Sequence, residues 1–199
     1  MRLGVLVSGR GSNLEAVLEA VAGGRLTDVV PVLVISNRPD VRALEVAERY
    51  GVPSCVLRQS DFATVAERDR QIGERLTAAA VDVALLSGYD RVLAPSFFDA
   101  FRGRTINIHP ALLPSHAGRG MIGLAVHASV LAAGDRETGV SIHEVTHELD
   151  AGPVIAQRRL PVHAGDTPES LAGRVLAEEH GFLVETLSLL ARAGPRREG

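Results

Sequence analysis

The chain has 199 residues and a formal net charge of −3, enough for one large domain and without the basic field that a nucleic-acid binder needs. Its 46% hydrophobic content, with 4% aromatic residues and no Trp, suits a parallel sheet covered by helices in which Val, Ala and Leu do the packing. All 21 basic residues are Arg, and without a Lys the chain offers no Walker-type phosphate loop, no Schiff-base amine and no pyridoxal site.

In chain order, residues 3–7 read as a first strand and 14–21 as a helix with apolar residues at 14, 17, 18 and 21. A strand over 29–35, a helix over 41–49, a strand over 52–57 and a longer helix over 61–79, capped by Asp61, follow. Cys55 falls in the third strand and reads as core rather than nucleophile. Residues 81–86 form a fourth strand, and the alternation predicts parallel pairing through right-handed crossovers. Residues 105–109 are the fifth strand, and 126–133 a helix stopped by Gly134. Two further strands, 139–143 and 154–157, have too little chain between them for a crossover helix, so at least one antiparallel pair belongs near the carboxyl end. A last helix covers 168–190, and the tail 194–199 frays. The expectation is an α/β, Rossmann-like fold: one domain over 1–199, with a mostly parallel sheet of about seven strands flanked by helices. The opening apolar run is too short for a signal peptide or membrane span, so a cytoplasmic protein without a membrane partner is expected.

Asn107 and His109 lie two apart in the strand Thr105-Ile106-Asn107-Ile108-His109. An extended chain projects both side chains the same way from its carboxyl end, where open α/β sheets bind ligands. Pro110 and Pro114 then turn the chain out of the sheet. Alone, the pair reads either as a reactive site or as two satisfied capping groups. The loop Ser8-Gly9-Arg10-Gly11-Ser12-Asn13 offers glycines for close approach and unpaired N–H groups at a helix start, which makes a phosphate cradle; the same loop also serves as plain architecture. Leu14 stands where a dinucleotide fingerprint needs its third Gly, and Ser36-Asn37-Arg38 where it needs an acid, so a single phosphate ester fits better than NAD.

His143-Glu144-Val145-Thr146-His147 matches the zinc-protease pattern in letters. Its neighbours Val140, Ile142 and Val145 are β-branched, however, and histidines four residues apart in a strand sit about 13 Å apart, too far to share an ion. No metal is expected. Asp150, just before Gly152-Pro153, reads alone as a turn residue.

Taken together, these stretches resemble the phosphoribosylglycinamide formyltransferases over nearly the whole chain. The resemblance is carried by Ser8-Gly9-Arg10-Gly11-Ser12-Asn13-Leu14, by Asn107-Ile108-His109-Pro110-Ala111-Leu112-Leu113-Pro114, by Gly139-Val140-Ser141-Ile142-His143 and by Glu148-Leu149-Asp150-Ala151-Gly152-Pro153-Val154-Ile155. It implies that Asn107, His109 and Asp150 form a catalytic trio. It also implies that Gly11, Ser12 and Asn13 hold a substrate phosphate, with Glu179 on the ribose hydroxyls. Arg91, Val92, Leu93, Asn107, Thr146, His147, Glu148, Leu149 and Asp150 would line the pterin pocket of 10-formyltetrahydrofolate, the co-substrate. Residues 1–100 would bind phosphate and 101–193 would serve folate and catalysis, in a monomer or weak homodimer. The chain departs from the family pattern at Asp90, where an apolar residue is usual, at Val65, where a basic residue often meets the folate tail, and over 115–123, a longer loop than usual.

The residues suit that chemistry. An amine attacking a formyl carbon creates an oxyanion, which the Asn107 amide and a protonated His109 can meet, and a surplus proton, which Asp150 can carry. A carboxylate beside the imidazole would also favour its charged form. Two other readings stay open on the sequence: a formyltetrahydrofolate hydrolase or another formyltransferase of this fold, and a non-catalytic nucleotide-binding module.

Overall fold

The computed structural model describes residues 1–194. β1 (Arg2–Val7) sends Leu3, Val5 and Val7 into one core and Leu6 into another, the alternation of a strand buried on both faces. α1 (Ser12–Ala22) packs Leu14, Val17 and Leu18 on the first core. After β2 (Val30–Ser36), α2 (Arg42–Arg49) adds Ala43, Val46 and Ala47 to the same side. β3 (Ser54–Val56) is short. α3 (Val65–Ala78) covers the opposite face with Ile72 and Leu76. β4 (Val83–Leu86) leads to α4 (Pro95–Ala100), whose Phe97 is buried beside Phe101. β5 (Arg104–His109), α5 (Leu124–Ala133), β6 (Glu137–Glu144), β7 (Val154–Pro161) and α6 (Pro168–Ala193) complete the chain.

The seven strands lie in the order β3-β2-β1-β4-β5-β6-β7. Pairing is parallel from β3 to β5, while β6 runs antiparallel to β5 and β7 antiparallel to β6. The expected antiparallel pair is therefore two pairs. The chain winds outward from β1 to β3, then returns to the other side of β1 for β4. That switch opens a crevice at the carboxyl ends of β1 and β4, the place where such sheets take ligands.

Three local features differ from the sequence reading. α3 starts at Val65, capped by Thr64 rather than Asp61: Thr64 accepts from the Glu67 N–H at 3.1 Å while the Glu67 carboxylate accepts from the Thr64 N–H at 3.3 Å. A Thr-x-x-Glu box satisfies two helix-start N–H groups where a lone Asp satisfies one, and Asp61 instead ends a 3-10 turn paired with Arg58. α4, six residues long, is too brief for its periodicity to register. β7 continues four residues beyond Gln157 because the exposed Arg159 between the half-buried Arg158 and the buried Leu160 keeps the alternation of an outer strand going. The fraying expected at the tail falls, beyond Gly194, outside the described residues. Among the described residues no helix is long and apolar enough to cross a membrane.

Candidate active site

A cavity of about 1330 Å³ opens at the switch point. Its first wall is the loop between β1 and α1. Gly11 holds a left-handed φ of 71° at the start of α1, and a Cβ there would lie 2.7 Å from the Cβ and 2.8 Å from the Cα of Ala43. The glycine therefore serves close packing of this loop on α2 as well as its turn. Arg42 braces the loop further, donating to the Arg10 carbonyl at 3.2 Å and pairing with Glu15 at 2.5 Å. No side chain caps α1, so its first-turn N–H groups remain available to an anion. Gly11, Ser12 and Asn13 all line the cavity.

Glu179 arrives from α6 and accepts from the Asn13 side-chain N–H at 2.8 Å. Burial pushes its carboxyl up from the usual range, and the Asn13 hydrogen bond opposes that only in part. Among the described residues Asn13 Oδ1 has no partner, though it is buried. A costly buried carboxylate beside an orphan acceptor is a pair prepared for polar groups that the protein itself does not supply.

The loop after β4 forms the next wall. Asp90 accepts from the Ser8 hydroxyl at 3.0 Å and from the Asn37 amide at 2.8 Å, and pairs with Arg38. Burial raises its carboxyl, but the Asn37 and Ser8 hydrogen bonds and the nearby Arg38 and Arg91 bring it below the usual range. Asp90 thus ties together the loops after β1, β2 and β4, a role its neighbours in sequence did not announce. Asp69, buried and paired with Arg68, fixes the loop's far end by accepting from the Ala94 N–H at 2.7 Å. Arg91, Val92 and Leu93 line the cavity, with Leu93 buried and Val92 exposed.

β5 and β6 make the floor. Asn107 and His109 both face the cavity, as their spacing requires. Asn107 stands directly opposite His143 in the antiparallel register, and their side-chain nitrogens are 3.1 Å apart. His143 Nδ1 lies 2.8 Å from the Glu144 carbonyl, so that nitrogen carries the hydrogen and Nε2 accepts from the Asn107 amide. Burial holds the His143 imidazole below its ordinary pKa, outweighing the Glu144 carbonyl and the Asp150 carboxylate. His109 Nε2 is 2.8 Å from the main-chain carbonyl of His116. Ser141, opposite His109, donates to Ala111 at 2.6 Å and accepts from the Leu113 N–H at 3.0 Å, fixing the exit of the chain from β5.

Asp150 closes the floor from the loop after β6, with φ at 53°. It accepts from the Gly118 N–H at 3.0 Å and lies 3.7 Å from His143 Nε2. The sequence reading set this carboxylate beside His109. The structure puts His143 against it as well, since the β5–β6 register brings that histidine to the side of Asn107. His143 is the residue that reading undervalued: dismissing the zinc pattern also removed a histidine that shares the floor. The two histidines do not share one strand as the sequence reading had it: His143 is on β6, and His147 lies in the following loop with its ring against Phe98, centroids 4.7 Å apart. Among the described residues no group of three His, Cys, Asp or Glu is arranged to hold a metal.

Thr146, His147, Glu148, Leu149 and Asp150 all line the cavity, as do Met121 and Ile122 from the long loop before α5 and Leu124 at the start of that helix. Ile122, Leu124 and Leu149 are exposed. His127 of α5 also lines it, buried, with Nδ1 unpartnered among the described residues and its pKa lowered by burial and by nearby His109.

Comparison with known proteins agrees with this geometry. A formyl transferase family model matches residues 1–187. A phosphoribosylglycinamide formyltransferase of Escherichia coli strain K12 is 39% identical over 191 residues, covering 96% of this chain and 87% of that protein. The trifunctional purine biosynthetic protein adenosine-3 of Drosophila melanogaster is 40% identical over 192 residues, of which this chain spans 14%. The crystal structure of glycinamide ribonucleotide transformylase 1 from Symbiobacterium toebii superimposes with a TM-score of 0.90 at 38% identity, covering 100% of this chain and 91% of that one.

Proposed function

This chain belongs to the formyl transferase family, among the phosphoribosylglycinamide formyltransferases of purine biosynthesis, and we propose that it moves the formyl group of 10-formyltetrahydrofolate to the amine of 5-phosphoribosylglycinamide. The products are formylglycinamide ribonucleotide and tetrahydrofolate. The observation that carries the reading is one cavity shared by an uncapped helix start, the Asn13–Glu179 pair and the polar floor Asn107, His109 and Asp150. We assign the substrate phosphate to Gly11, Ser12 and Asn13, the ribose hydroxyls to Glu179, and the pterin to Arg91, Val92, Leu93, Asn107 and the loop from Thr146 through His147, Glu148 and Leu149 to Asp150.

In this scheme the glycinamide nitrogen attacks the formyl carbon, the C–O π pair moves onto oxygen, and the nitrogen acquires surplus positive charge. His143 holds one N–H of Asn107, which leaves the second for the oxyanion, and His109 donates to the same oxygen in its protonated form. Such a donor contributes about 3–4 kcal/mol to lowering the barrier. Asp150, directly or through water, takes the proton from the attacking nitrogen and delivers it to N10 of the folate, and the bond from the formyl carbon to N10 breaks as the carbonyl re-forms. The reaction draws on no metal, so chelator leaves turnover intact. Residues 1–199 work as one domain, the first hundred holding phosphate and 101–193 holding folate and the reacting groups, in the cytoplasm as a monomer or weak homodimer.

The test supplies 10-formyltetrahydrofolate with and without glycinamide ribonucleotide and follows tetrahydrofolate release. Release that requires the ribonucleotide supports the transfer. Equal release without it makes the protein a hydrolase, and binding without release makes it a non-catalytic module.

A further inference from the structure

The loop between β5 and α5 contains a histidine that does not line the cavity yet reaches its floor through its backbone. His116 accepts at its main-chain carbonyl from His109 Nε2, 2.8 Å away. A carbonyl can only accept, so that nitrogen of His109 keeps its hydrogen in every protonation state, and Nδ1 becomes the nitrogen that gains and loses a proton. The carbonyl is aimed by an unusual backbone: His116 has φ of 55°, a conformation that a residue other than glycine holds only where its surroundings fix it.

What fixes it is the side chain. His116 Nε2 is 2.7 Å from a carboxylate oxygen of Asp135 and Nδ1 is 2.9 Å from the Ser129 hydroxyl. Ser129 lies on α5, and Asp135 follows the left-handed Gly134 that ends it. The His116 side chain is 10% exposed. A continuous path therefore runs from the end of α5, through the His116 ring and backbone, to the imidazole on β5.

We propose that His116 is a positioning residue, clamped by Ser129 and Asp135 so that its carbonyl commits His109 to exchanging protons at Nδ1. This rests on the reading of His109 as a reacting group. It makes the α5 end part of the catalytic apparatus, and a misplacement of about 1 Å at a reacting group costs on the order of 10²-fold in rate.

Asp135→Ala tests it without touching the cavity. Turnover should fall by roughly 10- to 10²-fold while both Michaelis constants stay within about twofold, the signature of lost orientation rather than lost binding. Nitrogen NMR of histidine-labelled protein reads the tautomer directly: neutral His109 carries its hydrogen on Nε2 alone in the parent chain and becomes a mixture in Asp135→Ala and in Ser129→Ala/Asp135→Ala. Asp135→Asn, which keeps an acceptor oxygen, restores both turnover and tautomer. A parent-like tautomer and parent-like turnover in the double variant overturn the proposal, and so does an Asp135→Asn protein no better than Asp135→Ala. The tautomer is read without turnover, so failure of the proposal appears in the NMR, whereas failure of the catalytic role of His109 appears in an active His109→Asn variant.

Discussion

The floor of the cavity and its rim are built on different physics. On the floor, Asn107, His109 and His143 sit on paired strands, and their nitrogens make hydrogen bonds within the protein. On the rim, Val92, Ile122 and Leu149 on loops and Leu124 at the first turn of α5 are exposed apolar side chains, open to cover by a ligand. The difference separates two tasks. A ladder can hold a reacting group to a fraction of an ångström, whereas loose apolar loops contribute contact area that need not be placed so closely.

If that division is right, the largest effect belongs to the floor. Asp150→Asn keeps the shape and the Gly118 hydrogen bond but loses the proton acceptor, so turnover should fall on the order of 10²–10⁴-fold, with both Michaelis constants far less changed. A folded Asp150→Asn protein of parent-like turnover, measured beside its melting temperature, would reduce Asp150 to a turn residue.

The phosphate wall offers a finer contrast between two glycines of one loop. A Cβ on Gly9 would meet nothing within 4 Å, whereas one on Gly11 would collide with Ala43. Gly9→Val should therefore raise the Michaelis constant for the ribonucleotide by roughly tenfold, about 1.4 kcal/mol, leaving the folate constant and the melting temperature alone. Gly11→Val should unsettle the fold as well, by about 1–3 kcal/mol. Equal effects of Gly9→Val on both substrates would make the loop structural. On the rim, Leu149→Ser should raise the folate constant a few-fold, about 1 kcal/mol or less, with turnover at saturation unchanged. A large fall in its turnover would erase the contrast between rim and floor.

The smallest effects are on stability. The raised carboxyl of Glu179 means that the unfolded chain gives up this proton first as pH rises past the ordinary value. Stability is lost from there upward, so Glu179→Gln should melt about 2–4 °C higher at pH 7 while binding the ribonucleotide less well. An unchanged or lower melting temperature would contradict the assigned strain. His143 and His127 have the opposite sense: both are held below their ordinary value, so the unfolded chain takes up protons first as pH falls below about 6.5. Melting curves should drop through that window, and His143→Phe should flatten the drop.

The same contrast explains what the sequence could tell. Asn107 and His109 were legible because a strand has a period of two and proline ends it. The α1 loop was legible because glycines and a helix start have few uses together. The Asn107–His143 contact was not, since it depends on strand register, which no local pattern of residues 105–109 or 139–143 encodes. Asp90 stands out in the sequence, but its partners Ser8, Asn37 and Arg38 come from two other loops. The clamp on His116 involves residues 13 and 19 positions away and was invisible for the same reason. Thr64 in place of Asp61 was in principle readable from Thr64-Val65-Ala66-Glu67.

The most direct measurement follows the formyl carbon itself. With 10-[13C]formyltetrahydrofolate and glycinamide ribonucleotide, the label should appear quantitatively in the amide of formylglycinamide ribonucleotide, at one label per tetrahydrofolate released, and none should appear as formate. Label accumulating in formate, or an unlabelled ribonucleotide after the folate is spent, would contradict formyl transfer by this site.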